Sequence, residues 1–511
     1  MLCLEMNVRR SSSLRRQPPS TADDESALVR GLMGLARNAF DKGDLAEAER
    51  LCLRLLARDV HHPECLNLLG RILYATGRLE AAMALFHRAI RVDPGNASHH
   101  SNLGLALKDL GRHDESLAAL QHAVRLDPLL AEAHNNLGIF LLERGRMDEA
   151  MERFHHSNRL RPGWTPLLNN LGAAYSDLGQ HDRAMETLDR AIAADPSHVG
   201  ARWNRALALL LHGDLRQGWR EHEARWQRTE RPRHFPGPLW KGEPLHGARI
   251  LLHSEQGLGD SIQFLRFVPL VQAAGGTVLL DLPSGLHRLA QSLPGVVALT
   301  ADGQNLSDYA FQCPLMSLPL ALDITLEDLP GPIPYLTVPD AAAQAAAQFP
   351  WPATGPRIGL VWRGNPMHRR DHLRSIPLDA FAPILDLPGF HFFSLQITPP
   401  GAQTPDKGPF QSRITNLAPL LADLADTAAM LSHLDLLLAV DTSVAHLAGA
   451  LGRPLWLLLP AVPDWRWMRD REDSPWYPSA RLFRQATLGD WDSLLGRVRQ
   501  QLLARFPAAC N

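Results

Sequence analysis

The sequence predicts an α-helical solenoid followed by an α/β region of two lobes, and three observations predict it. Glycines recur every 34 residues through the first half. That period stops near residue 222, where a segment rich in Pro, Gly and aromatic residues begins. Beyond it, short apolar runs of strand length alternate with helical stretches. These changes divide the chain into a disordered leader (1–28), a solenoid (29–222), a linker (223–246) and two lobes (247–355 and 356–511).

The leader is polar: Ser11-Ser12-Ser13, Arg15-Arg16, Pro18-Pro19 and Asp23-Asp24-Glu25 leave few large apolar side chains to bury. Met1 to Met6 is too short for the apolar core of a signal peptide. No later run approaches the roughly 20 apolar residues of a membrane helix. The five cysteines (Cys3, Cys52, Cys65, Cys313 and Cys510) are scattered, which predicts reduced thiols rather than a zinc site or a disulfide framework. A cytoplasmic location is the expectation. Lys plus Arg (52) nearly balances Asp plus Glu (54), for a net charge of −2, so nothing draws the whole chain to nucleic acid.

In the solenoid, Gly70, Gly104, Gly138 and Gly172 form one periodic row. Gly43, Gly77, Gly111, Gly145, Gly179 and Gly213 form a second row, and Pro94, Pro128, Pro162 and Pro196 a third. The first row marks points where helices pack, and the others mark turns and ends. Ala48, Ala82, Ala150 and Ala184 fill the matching small position, so each unit reads as two helices around a glycine turn. Asn102-Leu103-Gly104, Asn136-Leu137-Gly138 and Asn170-Leu171-Gly172, closed by Asp93-Pro94 and Asp127-Pro128, resemble tetratricopeptide repeats over 29 to about 220. The first unit departs from the pattern, with Ala36 in place of Gly, as a terminal cap does. The last has Ala206 in that place, and its Trp203 and Trp219 add bulk for docking onto the next domain.

Solenoids of this kind bind peptides or proteins on a concave face. Asn102, Asn136, Asn170 and Asn204 occupy equivalent positions. Their amides form a candidate ladder for an extended acceptor peptide, the alternative being a packing role within the array. Enzymes that glycosylate Ser and Thr of intracellular proteins are similar in placing such a ladder ahead of a transferase.

In the second half, strands are expected at 249–253, 277–281, 357–362, 390–395, 434–440 and 454–459. Apolar strands between helices predict parallel sheets covered on both faces, with ligands at the strands' carboxyl ends. The first candidate site is Glu255-Gln256-Gly257-Leu258-Gly259-Asp260-Ser261, between a strand and a helix. Gly257 and Gly259 let backbone approach a ligand, and Asp260 either faces the cleft or caps its helix. No third glycine completes a dinucleotide fingerprint, and the segment is not a Walker loop. The second site is Asp441-Thr442-Ser443-Val444-Ala445-His446, where a strand delivers Asp441 to the sheet edge. Thr442 and Ser443 open a helix whose N–H groups suit a diphosphate, and His446 follows one turn later.

These segments, with Gly359-Leu360-Val361-Trp362, Arg374-Ser375-Ile376-Pro377 and Gly452-Arg453-Pro454, resemble the family 9 glycosyltransferases over roughly 247–490. The resemblance implies a GT-B fold of two Rossmann-like lobes. It implies Asp260 as general base toward the acceptor hydroxyl and Arg374 against the donor diphosphate. It further implies that Asp441, Thr442, Ser443 and His446 hold the donor's phosphates and sugar and that Gln396 lies near the nucleoside. This chain has Ser443 where the family usually has Gly, and Gln396 where it usually has an acid.

Such groups do chemistry without a metal: an Asp raises the nucleophilicity of a hydroxyl while cationic groups offset the departing diphosphate. Asp490-Trp491-Asp492 is read as a helix cap rather than a metal motif. The basic loop 363–374 is either a diphosphate or acceptor clamp or a solvated charged loop. Trp465-Arg466-Trp467 and Trp476-Tyr477 are expected to wall the sugar pocket.

The reading is therefore a metal-independent, inverting transferase that takes a nucleotide-diphosphate sugar as co-substrate, with no other cofactor, and acts on a protein or glycan acceptor recruited by the repeats. One rival is a scaffold whose transferase-like half binds without turnover. The other is the intracellular Ser/Thr protein transferase, whose own motifs are missing here. The sugar, the base, the acceptor and the oligomeric state are not legible.

Overall fold

The computed structural model describes residues 21–228, 235–301, 308–329, 331–368, 371–397 and 410–507. The chain divides into two compact units, Met1–Ala174 and Tyr175–Asn511.

The first unit is built of helix pairs: α1 (Thr21–Asp41) with α2 (Leu45–Leu56), α3 (Pro63–Ala75) with α4 (Leu79–Val92), α5 (Ala97–Asp109) with α6 (His113–Leu126), and α7 (Ala131–Glu143) with α8 (Met147–Leu160). Helix α9 (Thr165–Asp177) runs across the boundary. The glycine period has a steric cause: a Cβ on Gly104 would come within 2.5 Å of Leu120, so a side chain there would push α5 off α6. Gly70 and Gly138 face Phe86 and Phe154 in the same way. At the turn, Gly111 has φ +75, which lets Arg112 N donate to Leu107 O (2.9 Å) and closes the helix end. Of the leader expected over 1–28, residues 1–20 lie outside the described residues, and 21–28 are the opening turns of α1.

The second unit begins with the remaining repeat helices, α10 (His181–Ala194), α11 (Val199–His212) and α12 (Leu215–His222), followed by a 3-10 turn at Glu223–Gln227. The segment expected as a linker is folded down at both its described ends. Arg225 is buried in bonds to Glu255 (2.9 and 3.0 Å) and Ser317 (2.6 Å), and Trp240 is buried with its backbone N–H on Gln312 O (2.9 Å).

Two parallel sheets follow. The first holds β1 (Arg249–His253), β2 (Thr277–Asp281), β3 (Val296–Thr300) and β4 (Phe311–Pro314) in the order β3-β2-β1-β4, with Leu251 opposite Leu279. The second holds β5 (Arg357–Val361), β6 (His391–Ser394), β7 (Ile414–Asn416), β8 (Leu436–Val440), β9 (Leu455–Leu459) and β10 (Ala480–Arg484) in the order β10-β9-β8-β5-β6-β7. That is the doubly wound order, and its direction of winding reverses between β5 and β8. Strands β8 and β9 are buried at every position, which is why both read as unbroken apolar runs. The helices that matter for the site are α13 (Leu258–Phe264), which leaves β1, and α15 (Ser443–Ala450), which leaves β8. Between them in sequence lies α14 (Leu424–Ser432), and Trp491–Arg505 forms α16. Asp490 caps α16 through Ser493 N (3.1 Å).

One apolar cluster joins the last repeat to both sheets: Leu210, Trp219, Trp240, Ile250, Leu437 and Trp476 all belong to it. A separate cluster (Ile358, Phe381, Leu438 and Leu494 among others) covers the other face of the second sheet.

Candidate functional site

The two segments singled out in the sequence meet. α13 follows the carboxyl end of β1 and α15 that of β8, and the two helices pack against each other. The approach is close enough that a Cβ on Gly259 would lie 2.9 Å from His446 Cδ2 and 3.6 Å from Ser443 Cα. Thr442 is the extended residue before α15 (φ −146, ψ 167), so the first N–H groups of that helix open beside Asp441.

Asp260 sits in the first turn of α13, where its Oδ2 accepts the Gly257 N–H (2.9 Å). The expected cap is present, and Oδ1 accepts from Arg466 Nη2 across the two lobes. Arg466 also donates from Nε to Gln263 Oε1 (2.7 Å) and from Nη1 to Asp464 Oδ1 (2.8 Å). Three carboxylates (Asp260, Asp441 and Asp464) and two guanidiniums (Arg374 and Arg466) thus share one electrostatic neighbourhood.

Burial pushes the Asp441 carboxyl up to about 6, helped by the charge of Asp464 and opposed by Arg374 and Arg466. Burial likewise drives His446 down to about 3, with Arg466 adding to the effect and Asp464 opposing it. His446 Nε2 and Asp441 Oδ1 are 3.7 Å apart, a distance that suits an ion pair. Burial thus works against charge on both members of the pair. Nδ1 of His446 lies 2.9 Å from the Tyr477 hydroxyl, and the ring stacks on Trp467 (5.1 Å between centroids). Desolvation works to raise Asp464, but the charge and hydrogen bonds of Arg466 overcome it and hold that carboxyl low.

The other expected positions are tied into the framework. Arg374 donates from Nε to Asp371 Oδ1 (3.1 Å), and Asp371 accepts from Ser375 Oγ (2.9 Å), which in turn receives the Gly364 N–H (3.1 Å). This braces the turn after β5 beside Asp441. Arg369 and Arg370 of the basic loop lie outside the described residues. Gln396 is buried, accepts the Arg363 N–H (2.9 Å) and donates to Ile397 O (3.1 Å), so its amide braces the ends of β5 and β6.

In the first unit, the Asn102 amide donates to Asn67 (3.0 Å), Asn136 to Ser101 (2.9 Å) and Asn170 to Asn135 (3.0 Å), each partner lying one repeat earlier. Part of the expected ladder's donor capacity thus links successive repeats. Asn204, on α11 in the second unit, is not free either.

The expected aromatic wall is a correction. Trp465, Trp467, Trp476 and Tyr477 are buried, with at most 5% of their surface exposed. Trp219 of the last repeat explains this, since it packs edge-on against Trp465 (5.4 Å) and Trp476 (6.5 Å) and draws the loop into the core. Sequence reasoning also missed Asp464 and Gln263. The available signal was an acid two residues before an Arg flanked by tryptophans, just beyond an apolar strand.

Comparison with known proteins agrees with this architecture. Residues 33–97, 101–154 and 165–198 match tetratricopeptide repeat family models, and residues 406–467 match that of glycosyltransferase family 9 (heptosyltransferase). Protein FlbA of Caulobacter vibrioides is 29% identical over 329 residues, which cover 58% of this chain and 54% of that protein. The chain thus spans about half the length of the curated relative it matches. Among solved structures, YrrB, described as a TPR protein with an unusual peptide-binding site, is 26% identical over 34% of this chain and 91% of its own (TM-score 0.25). A thermophilic TPR protein of Thermus thermophilus, TTC0263, is 21% identical over 36% of this chain and 99% of its own (TM-score 0.34). The chain therefore unites tetratricopeptide repeats with a glycosyltransferase family 9 region.

Proposed function

We propose that the protein transfers a sugar, with inversion and without a metal, from a nucleotide-diphosphate donor to a protein or glycan acceptor recruited by its repeats in the cytoplasm. The observation that carries this reading is the meeting of α13 and α15, which brings Asp260 to the helix start at Asp441, Thr442 and Ser443. The acceptor hydroxyl oxygen attacks the anomeric carbon as the bond from that carbon to the phosphate oxygen breaks. The leaving electron pair goes to the nucleoside diphosphate, and Asp260 takes the hydroxyl proton. The N–H groups of α15 and the charge of Arg374 offset the phosphate charge that develops. No helix among the described residues is long and apolar enough to cross a membrane.

Calorimetry with a panel of nucleotides and nucleotide-sugars, followed by transfer assays, tests the reading. The expected result is donor binding in wild type and in Asp260→Ala, with transfer lost only in the variant. One observation favours the second reading, a scaffold that binds without turnover: both oxygens of Asp260 already accept hydrogen bonds. Donor binding with neither transfer nor hydrolysis in the wild-type protein decides for it.

A further inference from the structure

We infer that Arg466 is a positioning residue that aims Asp260, and that Asp464 and Gln263 hold Arg466 for that task. The inference rests on the reading of Asp260 as the general base. A guanidinium has only donors, and here three different nitrogens each have an acceptor: Gln263 Oε1 on Nε, Asp464 Oδ1 on Nη1 and Asp260 Oδ1 on Nη2. Trp465 lies under the group, 4.3 Å from the ring centroid to Cζ. Asp464 Oδ1 also accepts the backbone N–H of Arg466 (3.1 Å), so a single carboxylate oxygen fixes both the main chain and the head of this residue.

The geometry is directed at α13. Gln263 lies three residues beyond Asp260, on the same face of the helix, so one guanidinium from the second lobe holds two successive rungs of a helix in the first. Gln263 is fully buried, and the donors of Arg466 force its oxygen inward. Among the described residues its amide nitrogen has no acceptor. A buried amide left half-satisfied is unusual, and its one bond goes to Arg466. Arg466 itself is only 7% exposed, so water does not readily replace its bond to Asp260. With Oδ2 held by the Gly257 N–H and Oδ1 by Arg466, the Asp260 carboxylate cannot swing, and its remaining lone pairs point in fixed directions. Orientation of that kind acts on the chemical step rather than on donor affinity.

The test uses the full chain with Arg466→Met, Arg466→Lys, Asp464→Asn and Asp260→Asn, reading kcat and donor KM separately, with near-UV circular dichroism as the control for folding. Arg466→Met should lower kcat about a hundredfold with donor KM unchanged, and added guanidinium should restore part of the loss. Arg466→Lys should recover part of the rate, and Asp464→Asn, which keeps the guanidinium but loosens it, should show a smaller loss. If Arg466→Met does not fold, the lysine and asparagine variants carry the same kcat-against-KM comparison. Unchanged kcat in the folded Arg466 and Asp464 variants, with Asp260→Asn inactive, overturns this inference alone. So does a joint loss of kcat and donor affinity that guanidinium does not rescue. Full transfer by Asp260→Asn, or no turnover by the wild type, removes the general-base reading and this inference with it.

Discussion

Replacing Asp441 by Asn should stabilise the protein, increasingly so as the pH rises. Asp441 titrates near 6 in the folded chain against an ordinary value of 3.8, because burial penalises its charge more than Arg374 and Arg466 favour it. A carboxyl whose folded pKa is raised binds its proton more tightly in the native state than in the unfolded one. Its stabilising contribution is therefore full below pH 3.8 and is lost as pH rises through about 6. At 1.36 kcal/mol per pH unit, the interval from 3.8 to about 6 is worth about 3 kcal/mol. Asn has the same shape and carries no charge, so the stability difference between Asp441→Asn and wild type should grow by about 2 kcal/mol between pH 4 and pH 7, most of the full interval. His446 contributes an opposite slope, losing stability as pH falls below 6.5 towards about 3, but it does so in both proteins. Urea unfolding followed by tryptophan fluorescence suits the measurement, because every tryptophan except Trp164 lies in the unit that contains Asp441. A difference that is flat across this range, or that favours the wild type at high pH, refutes the burial argument.

Three further outcomes follow from packing. Gly259→Ala places a methyl 2.9 Å from His446 and should destabilise the second unit by about 1 to 3 kcal/mol in the same assay, with weaker nucleotide binding by calorimetry. Trp219→Ala removes a fully enclosed side chain whose indole N–H donates to Ile324 O (3.2 Å), and should lower the stability of that unit by about 3 to 5 kcal/mol; a loss below about 1 kcal/mol contradicts the packing described. Asn136→Ala leaves Ser101 without its donor and should reduce repeat stability by about 1 to 2 kcal/mol, measured by far-UV circular dichroism during unfolding.

What could be read in the sequence was what repeats or stays apolar. The glycine rows are legible because every repeat solves the same steric problem, as Gly104 against Leu120 illustrates. Six strands are legible because they are apolar runs at the centre or flank of a sheet. The four not expected are short, edge-placed or polar in pattern: β3 is half-exposed, β4 contains Gln312 and Pro314, β7 has three residues and β10 carries Arg481 and Arg484. In the site, the meeting of 257–261 with 441–446 was legible from strand ends followed by helix starts. The role of Arg466 was not, because it depends on an aromatic loop being drawn inward by a residue more than two hundred positions earlier, Trp219. Nor could the sequence show that the Gln396 amide braces two strand ends, since that bond is to a backbone N–H.

The burial of Trp219 between Trp465 and Trp476 also bears on how such a chain could be re-engineered. Grafting a foreign recognition array at residue 222, where the period fades, would strip an aromatic plug from the α/β half and expose greasy surface. A chimera that keeps everything from Tyr175 onward preserves that plug, so the exchangeable cassette is shorter than the run of repeats.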